Sequence, residues 1–273
     1  MLILLGILVL MYGCRNRPPV SWDVVSPVSD SSNEVESDQD REPFLEVDVH
    51  VPVEPTGRHV ATLAFLHGYQ GNWVEQWNEF QRFGMTLGDH VRVVALQARQ
   101  TARNPEPAWF PFSVFPWEDA SFGDLGTRQD LEASRKVVLS VLESEAALLD
   151  SKWKGIFLID NSQGSMMASY LGLMSNIQLG GVINFVGCFP LMEAASDLSA
   201  VNGDVAIIHL HDPLDPIVPW KYAVQGREVA ERLGSLNYGN IFQMTERKAH
   251  HHGLERRGIR VARDWLLNRI GEL

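Results

Sequence analysis

Residues 155–168 read GIFLIDNSQGSMMA, and this stretch sets the architecture. A short apolar run, GIFLI, is the length of a strand covered on both faces. It breaks into a polar turn, DNSQG, and the next residues, SMMA, suit the start of a helix. Strand, tight turn and helix in that order are one step of a parallel α/β sheet. The same kind of run recurs at 62–66 (TLAFL), 91–96 (VRVVAL), 182–186 (VINFV) and 205–210 (VAIIHL). Ahead of them, Leu45, Val47, Val49, Val51 and Val53 alternate with Glu46, Asp48, His50 and Pro52, as in a half-exposed strand. Helical patterns fill the gaps at 73–87, 127–149, 165–174, 220–233 and 254–270. The expected fold is α/β: a mostly parallel, doubly wound central sheet with helices on both faces, in one domain over 44–273. No internal repeat is visible.

Composition narrows the function classes. The chain has 273 residues, 45% hydrophobic and 21% charged, with 23 Lys and Arg against 34 Asp and Glu, a net charge of −11. That balance lacks the cationic footprint of a nucleic-acid groove, so no nucleic-acid partner is expected. Cys14 and Cys188, the two cysteines, make neither a disulfide framework nor a Cys-rich zinc pattern. A mean hydropathy of −0.09 excludes a multi-spanning membrane protein.

Residues 1–14 are a separate object. The run MLILLGILVLMY falls short of the ~20 residues a helix needs to span a bilayer and has the length of a signal-peptide core. It ends in Met11-Tyr12-Gly13-Cys14, which resembles the lipobox of bacterial lipoproteins. The resemblance implies cleavage before Cys14 and lipidation of its thiol. No Lys or Arg precedes the run, and Tyr12 is bulky where a small residue is usual. An uncleaved N-terminal anchor and a mis-assigned start remain open beside it. The expectation is an exported, membrane-anchored protein, held through a Cys14 lipid or the apolar segment, with its catalytic domain in an aqueous compartment. Residues 15–43 are poor in large apolar side chains and read as a disordered acidic tether. There, three arginines against seven carboxylates leave a net −4, so the folded part is only moderately acidic.

In sheets of this kind the site lies at the carboxyl ends of the strands. After TLAFL stand His67-Gly68-Tyr69-Gln70-Gly71; after GIFLI, Asp160-Asn161-Ser162-Gln163-Gly164; after VAIIHL, His211-Asp212-Pro213-Leu214-Asp215-Pro216-Ile217-Val218-Pro219; before the last helix, His250-His251-His252. A serine, an acid and a histidine thus follow one another in the chain order of α/β-hydrolases. A serine hydroxyl becomes nucleophilic when an imidazole takes its proton, and a carboxylate holds that imidazole in the right tautomer. A serine between strand and helix also presents the next backbone N–H to a developing oxyanion.

These segments together resemble the phospholipase/carboxylesterase family of α/β-hydrolases, which includes the acyl-protein thioesterases. Leu66 to Trp73 is similar to the family's LHGxGxN…W oxyanion segment, Asp160 to Gly164 to its GxSQG elbow, His211 to Pro219 to its HGxxDxxVP acid segment, and His252 through Trp265-Leu266 to its final histidine and helix. The resemblance spans about residues 44–270. It implies Ser162 as nucleophile, Asp215 as acid and His252 as base, with the N–H groups of Tyr69 and Gln163 as oxyanion donors. Asp212 is the competing acid, though it stands where the family has Gly. His251 is the next choice of base, His252 being preferred because it lies thirteen residues before Trp265. It further implies hydrolysis of a small-molecule ester or thioester through an acyl-enzyme, without cofactor or metal.

Asp160 departs from the pattern, replacing the first elbow glycine. Three accounts are open: a slightly opened elbow, a polar niche for the carboxyl, or a decayed site. In the last case the chain is a tethered, non-catalytic binding protein on a hydrolase fold. Trp109, Phe110, Phe112, Phe115, Trp117 and Phe122, interspersed with prolines, form a structured loop after a strand. In the resembled family a Trp-Phe pair here helps shape the acyl pocket, which implies substrate-binding roles for Trp109 and Phe110; simple packing of the loop is the alternative. Cys188 reads as a small buried hydrophobe. His209, His211, Asp212 and the 250–252 histidines raise a metal-dependent hydrolase as a further alternative, but no ligand spacing supports it.

Overall fold

A computed structural model describes residues 45–101, 105–111, 128–191, 204–233, 238–243 and 256–273, with 238–243 described by backbone alone. All of these fall within one compact unit, Glu42–Leu273. The expectations for 1–14 and 15–43, for the rings at 112–122 and for His250 to His252 concern residues outside this set.

Among the described residues, seven strands form one sheet: β1 (Val47–Val53), β2 (Ala61–Leu66), β3 (Val91–Ala98), β4 (Ile156–Asn161), β5 (Gly181–Phe185), β6 (Ile207–His211) and β7 (Tyr238–Gln243). Their order is β1-β3-β2-β4-β5-β6-β7. β1 pairs antiparallel with β3, and every other pairing is parallel. The described helices are α1 (Trp73–Arg82), α2 (Arg128–Ala147), α3 (Gln163–Met174), α4 (Trp220–Arg232) and α5 (Arg256–Ile270).

Helices cover both faces because neighbouring residues of a strand point opposite ways. Phe80 of α1 packs edge-on against Phe65 of β2 and Phe185 of β5, with ring centroids 5.5 and 5.3 Å apart. Asn184, one residue before Phe185, turns the other way and its Nδ2 donates to Ser169 Oγ of α3 at 2.8 Å. β2, β4 and β5 are buried along their whole length, which is why they read as mostly apolar runs. From β2 the chain steps outward to β3, then returns to β4 on the other side of β2. The carboxyl ends of β2 and β4 therefore diverge at a topological switch point, where such sheets open a crevice.

Four local expectations are revised. β7 was not foreseen: its sequence, YGNIFQ, mixes Gly and polar residues and has no apolar run. In β1 the alternation holds, but Val49 and Val51 are 46% and 37% exposed. The strand lies on the sheet edge with a register shift between His50 and Val53, and its other face stacks His50 on Trp73 at 4.8 Å. α1 begins as expected, with Asn72 Oδ1 accepting the N–H groups of Val74 and Glu75. It stops at Arg82 rather than running to Leu87, because Gly84 takes a left-handed φ of 103° and reverses the chain. α3 starts at Gln163, two residues earlier than the pattern suggested.

Candidate active site

Ser162 joins the end of β4 to the first residue of α3. Its backbone sits at φ 53°, ψ −116°, a region that costs a non-glycine residue about 1–3 kcal/mol. Neighbouring bonds hold it there: the Ser162 N–H donates to Phe185 O at 2.9 Å, and the Met166 N–H donates to Ser162 O at 3.1 Å. Ser165, one turn into α3, is bonded through Oγ to both the N–H and the C=O of Phe185. Asn184 adds a second tie, accepting the Gly187 N–H while donating to Ser169. Gly164 is required by close approach, since a Cβ there would stand 2.4 Å from Leu66 O and 2.7 Å from His67 O.

Asp160, two residues before Ser162, lies within β4. Its side chain is wholly buried, and Oδ1 accepts the Leu66 N–H from the neighbouring strand at 3.1 Å. Oδ2 is buried without a hydrogen-bond partner, a cost of about 1–3 kcal/mol. Burial pushes the carboxyl well above the usual carboxylate range, outweighing the opposing pull of the Leu66 N–H.

The segment after β2 runs beside the serine. A Cβ on Gly68 would lie 3.4 Å from both Ser162 Cβ and Asn161 O, and Tyr69 is the next residue. His67 fixes this turn. The Ala98 N–H donates to His67 Nε2 at 3.0 Å, so the ring proton sits on Nδ1 and is donated to Gly68 O at 2.6 Å. Burial lowers the His67 pKa to about 4, keeping the ring neutral. Gln76 of α1 accepts the Gly68 N–H, and the Gln70 N–H donates to Pro107 O.

Gln163 has a second role in its side chain. Oε1 accepts the Trp109 N–H at 3.0 Å, and Nε2 donates to Phe110 O at 2.7 Å. Trp109 Nε1 donates in turn to His67 O at 2.7 Å. Both rings of the Trp-Phe pair are fully buried, Trp109 lying 5.1 Å from the His67 ring.

The acid segment follows β6. Asp215 is buried, and its Oδ1 accepts the N–H groups of Ile217 and Val218, each at 2.7 Å. This fixes the plane of the carboxylate. Asp212 is also buried, but its Oδ1 accepts only the Leu214 N–H two residues on, and Oδ2 has no partner. His211 Nε2 donates to Val218 O at 2.7 Å, leaving Nδ1 to accept from His209 Nε2 at 3.2 Å. Burial, and then the neighbouring His211, hold His209 well below the usual histidine range. These two rings thus brace the acid turn. Among the described residues no group of three or more His, Cys, Asp or Glu gathers as a metal site. Cys188 is buried and its thiol pKa is raised by that burial.

Of the residues singled out from sequence, Ser162, Gln163, Tyr69, Trp109 and Phe110 come together around the ends of β2 and β4. Asp215 lies in its own turn after β6, and His252 is outside the described residues. The Gln163 amide, His67 and Asn184 were not foreseen as supports. Their one signal was a polar residue at the end of an otherwise apolar strand or at the start of its helix.

A serine in a strained strand-to-helix turn, at the switch point of a mostly parallel sheet, defines the α/β-hydrolase class. Residues 48–264 match the family model of phospholipases and carboxylesterases. Lysophospholipase-like protein 1 of Mus musculus is 25% identical over 237 residues, covering 81% of this chain and 93% of that protein. Acyl-protein thioesterase 1 of Yarrowia lipolytica is 24% identical over 238 residues, covering 82% and 97% respectively. The crystal structure of Zea mays acyl-protein thioesterase 2 superposes with a TM-score of 0.61 at 19% identity, over 82% of this chain and 99% of that one. The chain belongs to the phospholipase/carboxylesterase family, and with it to the hydrolases.

Proposed function

We propose that the chain is a serine hydrolase that cleaves carboxylic esters or thioesters through an acyl-enzyme. The observation that carries this reading is the geometry of Ser162: a positive-φ turn at the head of α3, with the Gly68 segment alongside it. In this reading His252 removes the Ser162 hydroxyl proton as Oγ attacks the acyl carbon. Asp215, its plane set by two amides, holds the imidazole in the productive tautomer. The N–H groups of Tyr69 and Gln163 bond the oxyanion as the carbonyl becomes tetrahedral. Collapse breaks the bond to the alkoxide or thiolate, which takes the proton from His252. Water, deprotonated by the same imidazole, then releases the acid and restores Ser162. Trp109 and Phe110 shape the acyl pocket from behind, their backbone bound by Gln163.

The test is labelling with a fluorophosphonate probe. Wild-type protein labels stoichiometrically, Ser162→Ala does not, and chelators change neither result. A folded wild type that fails to label favours a non-catalytic binding protein, and chelator-sensitive turnover favours a metal-dependent hydrolase. Esters and thioesters of graded chain length then define the substrate class. The apolar run ending at Cys14 supports the further reading that the domain is exported and anchored through a lipid on Cys14. A mature chain beginning at an unmodified Met1 would overturn that reading, as seen by mass spectrometry of the N-terminus.

A further inference from the structure

Asp160 and Leu66 stand at mirrored positions. Asp160 is three residues before Gln163, and Leu66 is three residues before Tyr69. The two are in register across the β4–β2 pairing. Leu66 is held from both sides of Ser162. Its N–H donates to Asp160, two residues before the serine, and its carbonyl oxygen is where a Cβ on Gly164, two residues after the serine, would collide. No other side-chain bond among those described joins the end of β2 directly to β4. The carboxyl is also fully buried with one oxygen unpartnered, and a group held at such a cost beside a strained serine calls for an account.

We propose that Asp160 is a positioning residue: its bond to the Leu66 N–H sets the separation of the Tyr69 and Gln163 amides that together receive the oxyanion. This rests on the serine-hydrolase reading above. Through this bond the carboxyl acts as a hydrogen-bonding spacer between the ends of β2 and β4. A glycine at this position leaves the Leu66 N–H without this acceptor, and an asparagine retains it.

The experiment compares Asp160→Asn, Asp160→Ala and Asp160→Gly with wild type. Kinetics on a short-chain p-nitrophenyl ester are normalised to competent sites by fluorophosphonate titration, so loss of folded protein does not count as loss of rate. Asp160→Ala and Asp160→Gly should lower kcat by about 10- to 100-fold, as expected when oxyanion donors are misplaced. KM should stay within about twofold and Asp160→Asn within about threefold of wild-type kcat, the pattern of an interaction made in the transition state. Hydrogen exchange should show the Leu66 amide losing protection in the Ala and Gly variants and keeping it in Asn. Wild-type kcat in Asp160→Ala, or an Asn variant no better than Ala, overturns the positioning role while leaving the hydrolase reading intact. A wild type that neither labels nor turns over ester overturns both.

Discussion

The end of β4 and the turn after β6 make a controlled comparison. Each carries a buried aspartate where the resembled family has glycine, and each aspartate has one oxygen on a backbone N–H and one without a partner. Asp212 bonds Leu214, two residues along, so it shapes only its own turn. Asp160 bonds Leu66, 94 residues away in sequence, so it couples two strands. The same side chain in place of the same glycine is local in the turn after β6 and architectural at the end of β4. What a buried carboxyl does is decided by which chain segment supplies its N–H.

The contrast can be broken most sharply at the acid turn itself. Asp215→Asn keeps an oxygen for the Ile217 and Val218 amides but puts an NH₂ where the imidazole needs an acceptor. We expect kcat to fall about 10⁴-fold with little change in stability, measured by steady-state turnover beside thermal unfolding. If Asp212→Asn shows that loss and Asp215→Asn does not, the two acids exchange roles. Next in size is a pH effect on the β2 side. His67 has a folded pKa of about 4, below its ordinary 6.5. The unfolded chain therefore binds the extra proton first as pH falls. The stability this neutral ring contributes is complete above about pH 6.5 and is lost progressively down to about pH 4, by roughly 3 kcal/mol. Urea unfolding midpoints across that range, with the His67 ring titrated by NMR, check both the sign and the site. A His67 that protonates near pH 6.5 in the folded protein would refute it. The smallest effect belongs to Asp212→Asn, which keeps the local acceptor: kcat within about threefold and stability within about 1 kcal/mol of wild type, as for a change confined to one turn.

The sequence was informative wherever the physics was local. Short, mostly apolar runs located β2 to β6, and the polar DNSQG between strand and helix located Ser162. Legibility failed where an element depends on its neighbours. Tyr238–Gln243 becomes a strand because β6 offers a free edge, not because YGNIFQ alternates or is apolar. Val49 and Val51 share the period of core residues, yet their edge position exposes them. The Gln163 amide was read for its backbone N–H alone, since no local rule announces a partner 54 residues earlier. Asp160 left three accounts open from sequence, and the structure adds that its carboxyl has one partner, the Leu66 N–H, with Oδ2 buried and unpartnered.

The clamp on Trp109 and Phe110 bears on how substrates are told apart. Under the proposed mechanism, one residue supplies an oxyanion amide and also holds the backbone of the segment behind the acyl group. An acyl chain that presses on that segment displaces the donor as well as the pocket wall. Discrimination between acyl groups would then appear in the rate of acylation more than in the strength of binding, because a misfitting chain reaches the serine with its oxyanion poorly received.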